Sequence, residues 1–297
     1  MSYVKGPDFL IVGTMKGGTT SLAKYVDSHP DVCVHPKKEL HFFDRESNYR
    51  RGIEFYLKQF NEVDRSGCKL IGEATPAYMY FPWIPERIAE YFPDVKLVFI
   101  LRHPVDRAYS HYWFSWYNGV HSYPSFEAAI EDERRMLRFR DELHFRRYSF
   151  LDRGKYILQL ERYLKYFDRS QIYIMITEDL KRNPGESMRG LFEFLEVDSS
   201  FQDPFWGRQR YNVGYSPKYL KLHSLITKFT SRPDRLGTLY RMVYSSFRSK
   251  KYVKNYLFRR GYPPMKDETR KRLLKFFHPY NRKLERFLGM KLPHWYR

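Results

Sequence analysis

The chain has 297 residues and a formal charge of +19, with Lys and Arg outnumbering Asp and Glu by 53 to 34. That length suits one large α/β domain with insertions, residues 1–297 throughout. An aromatic share of 19% argues against a disordered chain. The charge points to anionic partners (nucleotides, acidic glycans, nucleic acid or a membrane surface) without choosing among them. Only Cys33 and Cys68 occur, with no Cys-x-x-Cys pair and no Cys/His cluster. Neither a disulfide scaffold nor a metal site is therefore expected. No apolar run approaches the roughly 18 residues that span a bilayer, and the first residues lack a signal-peptide core. The expectation is a cytoplasmic chain, or a trimmed piece of a membrane-anchored one.

In chain order, Phe9–Val12 is a short apolar run that breaks into Gly13-Thr14-Met15-Lys16-Gly17-Gly18-Thr19-Thr20. A helical pattern then covers Ser21–Ser28 and stops at His29-Pro30. Strand, glycine-rich turn and helix N-terminus make an anion cradle, because free N–H groups and the helix dipole attract negative charge. Gly13 and Gly18 match the spacing of the ATP/GTP loop, but Thr19 stands where that loop needs its lysine. The loop's only lysine is Lys16. The turn therefore suits a phosphate-like group other than the usual nucleoside triphosphate.

Val32–His35 reads as a strand leading into Pro-Lys-Lys-Glu-Leu-His-Phe-Phe-Asp (Pro36–Asp44), and Ile53–Phe60 as a helix. Strand patterns follow at Lys69–Ala74, Val95–Leu101 and Ile172–Ile176. Helical spacing covers Glu86–Phe92, Asp106–Tyr117, Phe126–Arg147, Lys155–Phe167 and Glu186–Leu195. Strands alternating with helices imply a parallel sheet flanked by helices, a P-loop-like three-layer fold with ligands at the strands' C-terminal ends. Lys218–Arg260 is strongly basic with interleaved apolar residues and Asp234 as its only acid. A basic helical insertion is placed around 219–260. Lys266–Leu288 is helical in pattern but interrupted by Pro279.

The second informative site is Arg102. In a P-loop NTPase the strand facing the phosphates ends in a metal-holding aspartate, whereas the strand at Val95–Leu101 ends in an arginine, with Ser110 on the next helix. An arginine fork and a hydroxyl suit a metal-free pocket for a phosphomonoester. Two anion sites, one for a 5′ group and one for another phosphate, describe 3′-phosphoadenosine 5′-phosphosulfate (PAPS) better than ATP.

These pieces resemble the PAPS-dependent sulfotransferase family, closer to its heparan-sulfate and bacterial carbohydrate-type branch than to its small-phenol branch. The motifs are Lys-Gly-Gly-Thr-Thr-Ser-Leu (16–22), Lys-Glu-Leu-His-Phe-Phe-Asp (38–44), Gly-Glu-Ala-Thr-Pro-Ala-Tyr (72–78) and Leu97–Ser110, with weaker matches at Arg153–Leu160 and Leu274–Leu284. The resemblance implies that Lys16, Gly17, Gly18, Thr19, Thr20 and Ser21 hold the 5′-phosphosulfate, and Arg102 and Ser110 the 3′-phosphate. Lys218, in the Asn212–Lys218 turn, falls where the family has a further donor-binding loop. Lys16 would also neutralise the leaving group. An acceptor hydroxyl needs a base: Glu39 is the first candidate and His41 its competitor.

One departure concerns Ala74, where heparan-type relatives carry a lysine; it puts a heparan-like acceptor in doubt. Phe42 and Phe43 are assigned to the acceptor cleft or the core, and His111 to structure. The implied partners are PAPS, with no metal, and a small-molecule, glycan or lipid acceptor. Peripheral contact with an anionic membrane is also implied. The alternatives are a divergent P-loop kinase and a basic protein that binds nucleic acid or a membrane surface; the paired anion sites argue against nucleic acid.

Overall fold

The five apolar runs form strands β1 (Phe9–Gly13), β2 (Val32–Val34), β3 (Leu70–Ala74), β4 (Lys96–Leu101) and β5 (Ile172–Ile176). They pair in the order β2-β3-β1-β4-β5, every neighbour parallel. The structure is a computed structural model and describes residues 6–63, 67–208, 214–219 and 256–297, with 238, 242 and 246 singly. The helices are α1 (Thr19–Asp27), α2 (Glu46–Tyr49), α3 (Ile53–Gln59), α4 (Ile84–Tyr91), α5 (Pro104–Tyr117), α6 (Phe126–Met136), α7 (Glu142–Tyr148), α8 (Tyr156–Tyr163), α9 (Thr177–Arg182), α10 (Pro184–Leu195) and α11 (Asp267–Leu288).

The chain divides into two compact units. The first comprises Met1–His103, Lys155–Tyr211 and Tyr280–Trp295 and holds the parallel sheet; the second comprises Pro104–Gly154, Asn212–Pro279 and Tyr296–Arg297. In the first unit the sheet is buried on both faces, which is why its strands read as unbroken apolar runs rather than alternating ones. Phe9, Ile11, Val98, Ile100 and Met175 pack with Leu22 and Val26 of α1 and with Met188, Leu191 and Phe192 of α10. On the opposite face Phe99 meets Tyr163 of α8, ring centroids 5.0 Å apart. The turn after β1 and the end of β4 lie side by side on the C-terminal edge, where strand order changes direction and where ligands of such sheets bind.

The second unit has its own core: Val105, Ala108, Tyr112, Trp113 and Trp116 of α5 pack against Phe126, Ala129 and Ile130 of α6 and against Leu273 and Phe277 of α11. Buried Glu133 accepts from the backbone N–H groups of Leu151 (2.7 Å) and Asp152 (2.8 Å). Two short antiparallel strands, β6 (Tyr215–Pro217) and β7 (Phe258–Arg260), also belong here.

Several expectations are corrected. The continuous helix over Phe126–Arg147 is two helices, because Arg140 turns left-handed (φ 52°) and Asp141 caps a new start by accepting from the His144 N–H at 2.9 Å. Pro279 does not interrupt α11, which runs through it; Pro279 is exposed, so the carbonyl it leaves unbonded can meet water. The helix after the loop begins at Thr19 rather than Ser21. Three features have no counterpart among the expectations: α2, α9, and the β6–β7 pair that takes up part of the Asn212–Lys218 turn. Cys33 and Cys68 are joined in a disulfide, Cα atoms 5.7 Å apart. The β2–β3 register brings them together, which no local Cys spacing could announce. Most of the basic stretch at 219–260 lies outside the described residues.

Candidate active site

The loop between β1 and α1 is shaped by two glycines that tolerate nothing larger. A Cβ on Gly17 would stand 2.6 Å from the Ile100 carbonyl oxygen and 2.9 Å from that of Thr14, both backbone atoms. Gly18 has φ 108°, a conformation that side chains disfavour, and is the residue from which α1 springs. Thr14 N–H donates to Ile100 O (2.8 Å), and Gly17 N–H turns inward to Thr14 O (2.8 Å). The Gly17 N–H is thus spent on closing the loop. Ser21 N–H donates to Gly18 O (3.0 Å). Thr19 and Thr20 occupy the first turn, the part of a helix whose N–H groups lack intrahelical acceptors.

Three cations converge on this turn. Lys38 Nζ donates to Thr20 Oγ1 at 2.6 Å and reaches Thr19 Oγ1 at 3.4 Å. Arg102 Nη1 donates to the Lys16 carbonyl at 3.2 Å. Lys16 is lowered to about 8, first by burial and then by the charges of Arg102 and Lys38, with Glu39 opposing them. Burial lowers Lys38 as well, again against Glu39. A buried lysine depressed by two neighbouring cations marks a concentration of positive charge suited to an anion. The loop is braced from below: the Thr177 hydroxyl donates to Gly17 O and to Leu101 O, and Tyr156 OH donates to Arg102 O at 2.7 Å.

Glu39 and His41, read from sequence as rivals, are neighbours in one chain of contacts. Glu39 Oε2 is 3.3 Å from His41 Nε2, and His41 Nδ1 is 2.9 Å from Oδ2 of buried Asp44. Asn48 Nδ2 donates to the His41 carbonyl (2.8 Å) and fixes that turn, in which His41 has φ 53°. Glu39 is one-third exposed and His41 one-fifth. Asp44 orients His41 much as a carboxylate orients the imidazole of a hydrolase triad.

Phe42 and Phe43 are fully buried, against Tyr56, so they are core residues. Ala74 is buried at the end of β3, paired with Ile11. Ser110 and Lys218 belong to the second unit. Ser110 is buried on α5 with its Oγ 3.3 Å from Tyr262 OH, while Lys218 is exposed and its N–H donates to Leu257 O (2.8 Å). His111 is buried against Phe150 in that unit. Lys38 and Asp44 were quoted in the sequence motif without a role. Their adjacency to Glu39 and His41 was the only available signal. No group of three or more His, Cys, Asp or Glu among the described residues could hold a metal ion.

A parallel α/β sheet whose first turn gathers two lysines and an arginine at a helix N-terminus presents a site of concentrated positive charge suited to an anionic group. The sulfotransferase domain family matches residues 6–287, and the chain belongs to it. It is 42% identical over 133 residues to the membrane-associated sulfotransferase kil1 of Dictyostelium discoideum, a match covering 43% of this chain and 28% of that one. Heparan sulfate glucosamine 3-O-sulfotransferase 5 of Mus musculus is 27% identical over 298 residues, covering 96% of this chain and 73% of the relative. Against the bifunctional heparan sulfate N-deacetylase/N-sulfotransferase 4 of Mus musculus, at 27% identity, the chain spans only 31% of the relative's length. The crystal structure of a sulfotransferase from Alicyclobacillus acidocaldarius superposes with a TM-score of 0.70 at 26% identity, covering 99% of this chain and all of that one. Sulfuryl transfer is the chemistry of this family, and PAPS is the donor it implies.

Proposed function

We propose that this chain transfers a sulfuryl group from PAPS to a hydroxyl of a glycan, lipid or other small acceptor. The observation that carries the reading is the cluster of Lys16, Lys38 and Arg102 at the first turn of α1, with Glu39 close enough to oppose the shift of Lys16. The donor's 5′-phosphosulfate fits the two lysines of this cluster, where the first turn of α1 offers N–H groups and two threonine hydroxyls. Arg102 takes the 3′-phosphate. The parts given to Ser110 and Lys218 as further donor contacts rest on the family resemblance.

In the reaction Glu39 accepts the acceptor's hydroxyl proton as the oxygen attacks sulfur. The bond between sulfur and the bridging oxygen breaks, and 3′-phosphoadenosine 5′-phosphate (PAP) leaves with its new negative charge held by protonated Lys16. His41, fixed by Asp44, orients Glu39 through the 3.3 Å contact. The step needs no metal, because lysine and arginine supply the charge neutralisation that magnesium supplies in a P-loop kinase.

The heparan sulfate in the names of two relatives favours a glycan acceptor; Ala74, in place of the branch's lysine, speaks for a different subclass. The membrane-associated relative and the charge of +19 support peripheral contact with anionic lipid, within the cytoplasm or in another compartment. The test is transfer of radiolabelled sulfuryl from PAPS, in EDTA, to heparan-type glycans and to hydroxyl-bearing lipids. Wild type should label at least one class and Glu39→Gln should not, with PAP binding retained. Failure to label any acceptor by a protein that also fails to bind PAP would overturn the reading.

A further inference from the structure

Behind the Glu39–Asp44 segment lies a carboxylate that the reaction scheme does not use. Glu73, the fourth residue of β3, is fully buried. Three hydroxyls donate to it: Tyr56 OH to Oε1 (3.0 Å), Thr75 Oγ1 to Oε2 (2.9 Å), and the hydroxyl of Tyr78. Two of these hydroxyls also face the segment that carries Glu39. Leu40 N–H donates to Thr75 Oγ1 (3.2 Å) and Phe42 N–H donates to Tyr78 OH (3.1 Å). Tyr78 is held in turn by Tyr163 OH, which donates to its carbonyl (2.8 Å).

A hydroxyl owns one proton and two lone pairs. While Glu73 is ionised it only accepts, so Thr75 and Tyr78 must both turn their protons toward it. Their lone pairs then face Leu40 and Phe42, whose N–H groups need acceptors because they are buried. We infer that Glu73 is a positioning residue: its carboxylate sets the direction of the Thr75 and Tyr78 hydroxyls, and these pin the backbone on either side of His41 so that Glu39 and His41 keep their reacting geometry. The inference rests on the reading of Glu39 as the base.

The arrangement is poised to titrate. Burial raises Glu73 to about 7, against the opposing hydrogen bonds from Tyr78, Thr75 and Tyr56, and the charge of Asp44 pushes in the same direction as burial. The titratable groups facing it are therefore Tyr56 from α3, Tyr78 from the turn after β3, and Asp44 from the His41 segment. Both tyrosines are raised well above their ordinary value by burial and by Glu73 itself, so they stay protonated. Below pH 7 the carboxyl carries a proton that it must itself donate, so one of the three hydroxyls has to turn its own proton away from Glu73 and loses the orientation that serves the backbone.

The test is amide hydrogen exchange at Leu40 and Phe42, corrected for the intrinsic pH dependence, with PAP affinity measured by calorimetry on the same samples. In wild type, protection at the two amides should fall between pH 8 and pH 6, by up to about tenfold, as the ionised fraction of Glu73 falls, while Val98 in β4 stays protected. Glu73→Gln replaces one acceptor oxygen with an N–H donor and cannot ionise, so protection at Leu40 and Phe42 should lie below that of wild type at pH 8 and not change with pH, with PAP affinity within about twofold of wild type. Should Glu73→Gln fail to fold, Thr75→Val should expose Leu40 alone and Tyr78→Phe should expose Phe42 alone. Wild-type protection and pH profile in Glu73→Gln, or loss of protection at Val98 in parallel, would overturn the inference. Absence of PAP binding in wild type would instead sink the proposed function, and the exchange pattern would still decide the role of Glu73.

Discussion

Donor binding should take up a proton at Lys16. In the unliganded protein burial, Arg102 and Lys38 hold this ammonium down to about 8. A bound polyanion reverses that balance by supplying the missing counter-charge, so Lys16 is charged in the complex well above pH 8. The sign follows: a lysine with a depressed value loses its proton early in the free protein, so affinity is full below about pH 8 and declines as pH rises through it. At pH 9 only about one free molecule in eleven carries the charged form, so PAP should bind about tenfold more weakly than at pH 7 and take up about 0.9 proton, against about 0.1 at pH 7. Lys38, lowered in the same direction, adds to the uptake. The assay is calorimetry of PAP in pairs of buffers that differ in ionisation enthalpy, at pH 7 and pH 9. In Lys16→Met the uptake should drop to the Lys38 contribution. Uptake near zero at pH 9, or uptake unchanged in Lys16→Met, would refute the account of the cluster.

Three further outcomes are expected. Lys38→Ala removes the 2.6 Å contact to Thr20 and one of the three converging charges, so PAP affinity should fall about 10- to 100-fold by calorimetry while urea stability changes little. Gly17→Ala places a Cβ against two backbone carbonyls; overpacking of about 1–3 kcal/mol should appear in the urea midpoint, with donor binding lost. Glu133 is raised to about 8 by burial, although the Leu151 and Asp152 amides and Arg107 favour its charged form. An acid raised in the folded state holds its proton longer than in the unfolded chain, so stability should fall as pH rises from about 4.5 to about 8. Glu133→Gln should make that slope shallower in urea melts at pH 5 and pH 8; an unchanged slope would show that Glu133 titrates normally.

The parallel sheet was legible because each strand is apolar on both faces, and the site's first turn was legible because Gly17 and Gly18 are demanded by the backbone itself. The motif stretch at 38–44 drew attention to Glu39 and His41, yet left them as rivals. Only the fold shows them in contact and adds Asp44 behind them. Lys38 was invisible as a loop partner because its target, Thr20, is 18 positions away and is reached only once β2 has crossed beside β3. Glu73 reads as an ordinary strand residue until burial and three hydroxyls surround it. The split at Arg140 and the continuity through Pro279 depend on one residue's φ and on solvent access to one carbonyl, neither of which periodicity encodes. The disulfide between Cys33 and Cys68 depends on strand register.

The central claim is that the turn from Lys16 to Thr20, with Arg102, binds the nucleotide of the sulfuryl donor. It is tested most directly by titrating PAP into wild type, Lys16→Ala and Arg102→Ala at pH 7 in EDTA. Micromolar binding to wild type, weakened at least about tenfold by each substitution, is the predicted result. A folded wild type that does not bind PAP, or binding that neither substitution alters, would contradict it.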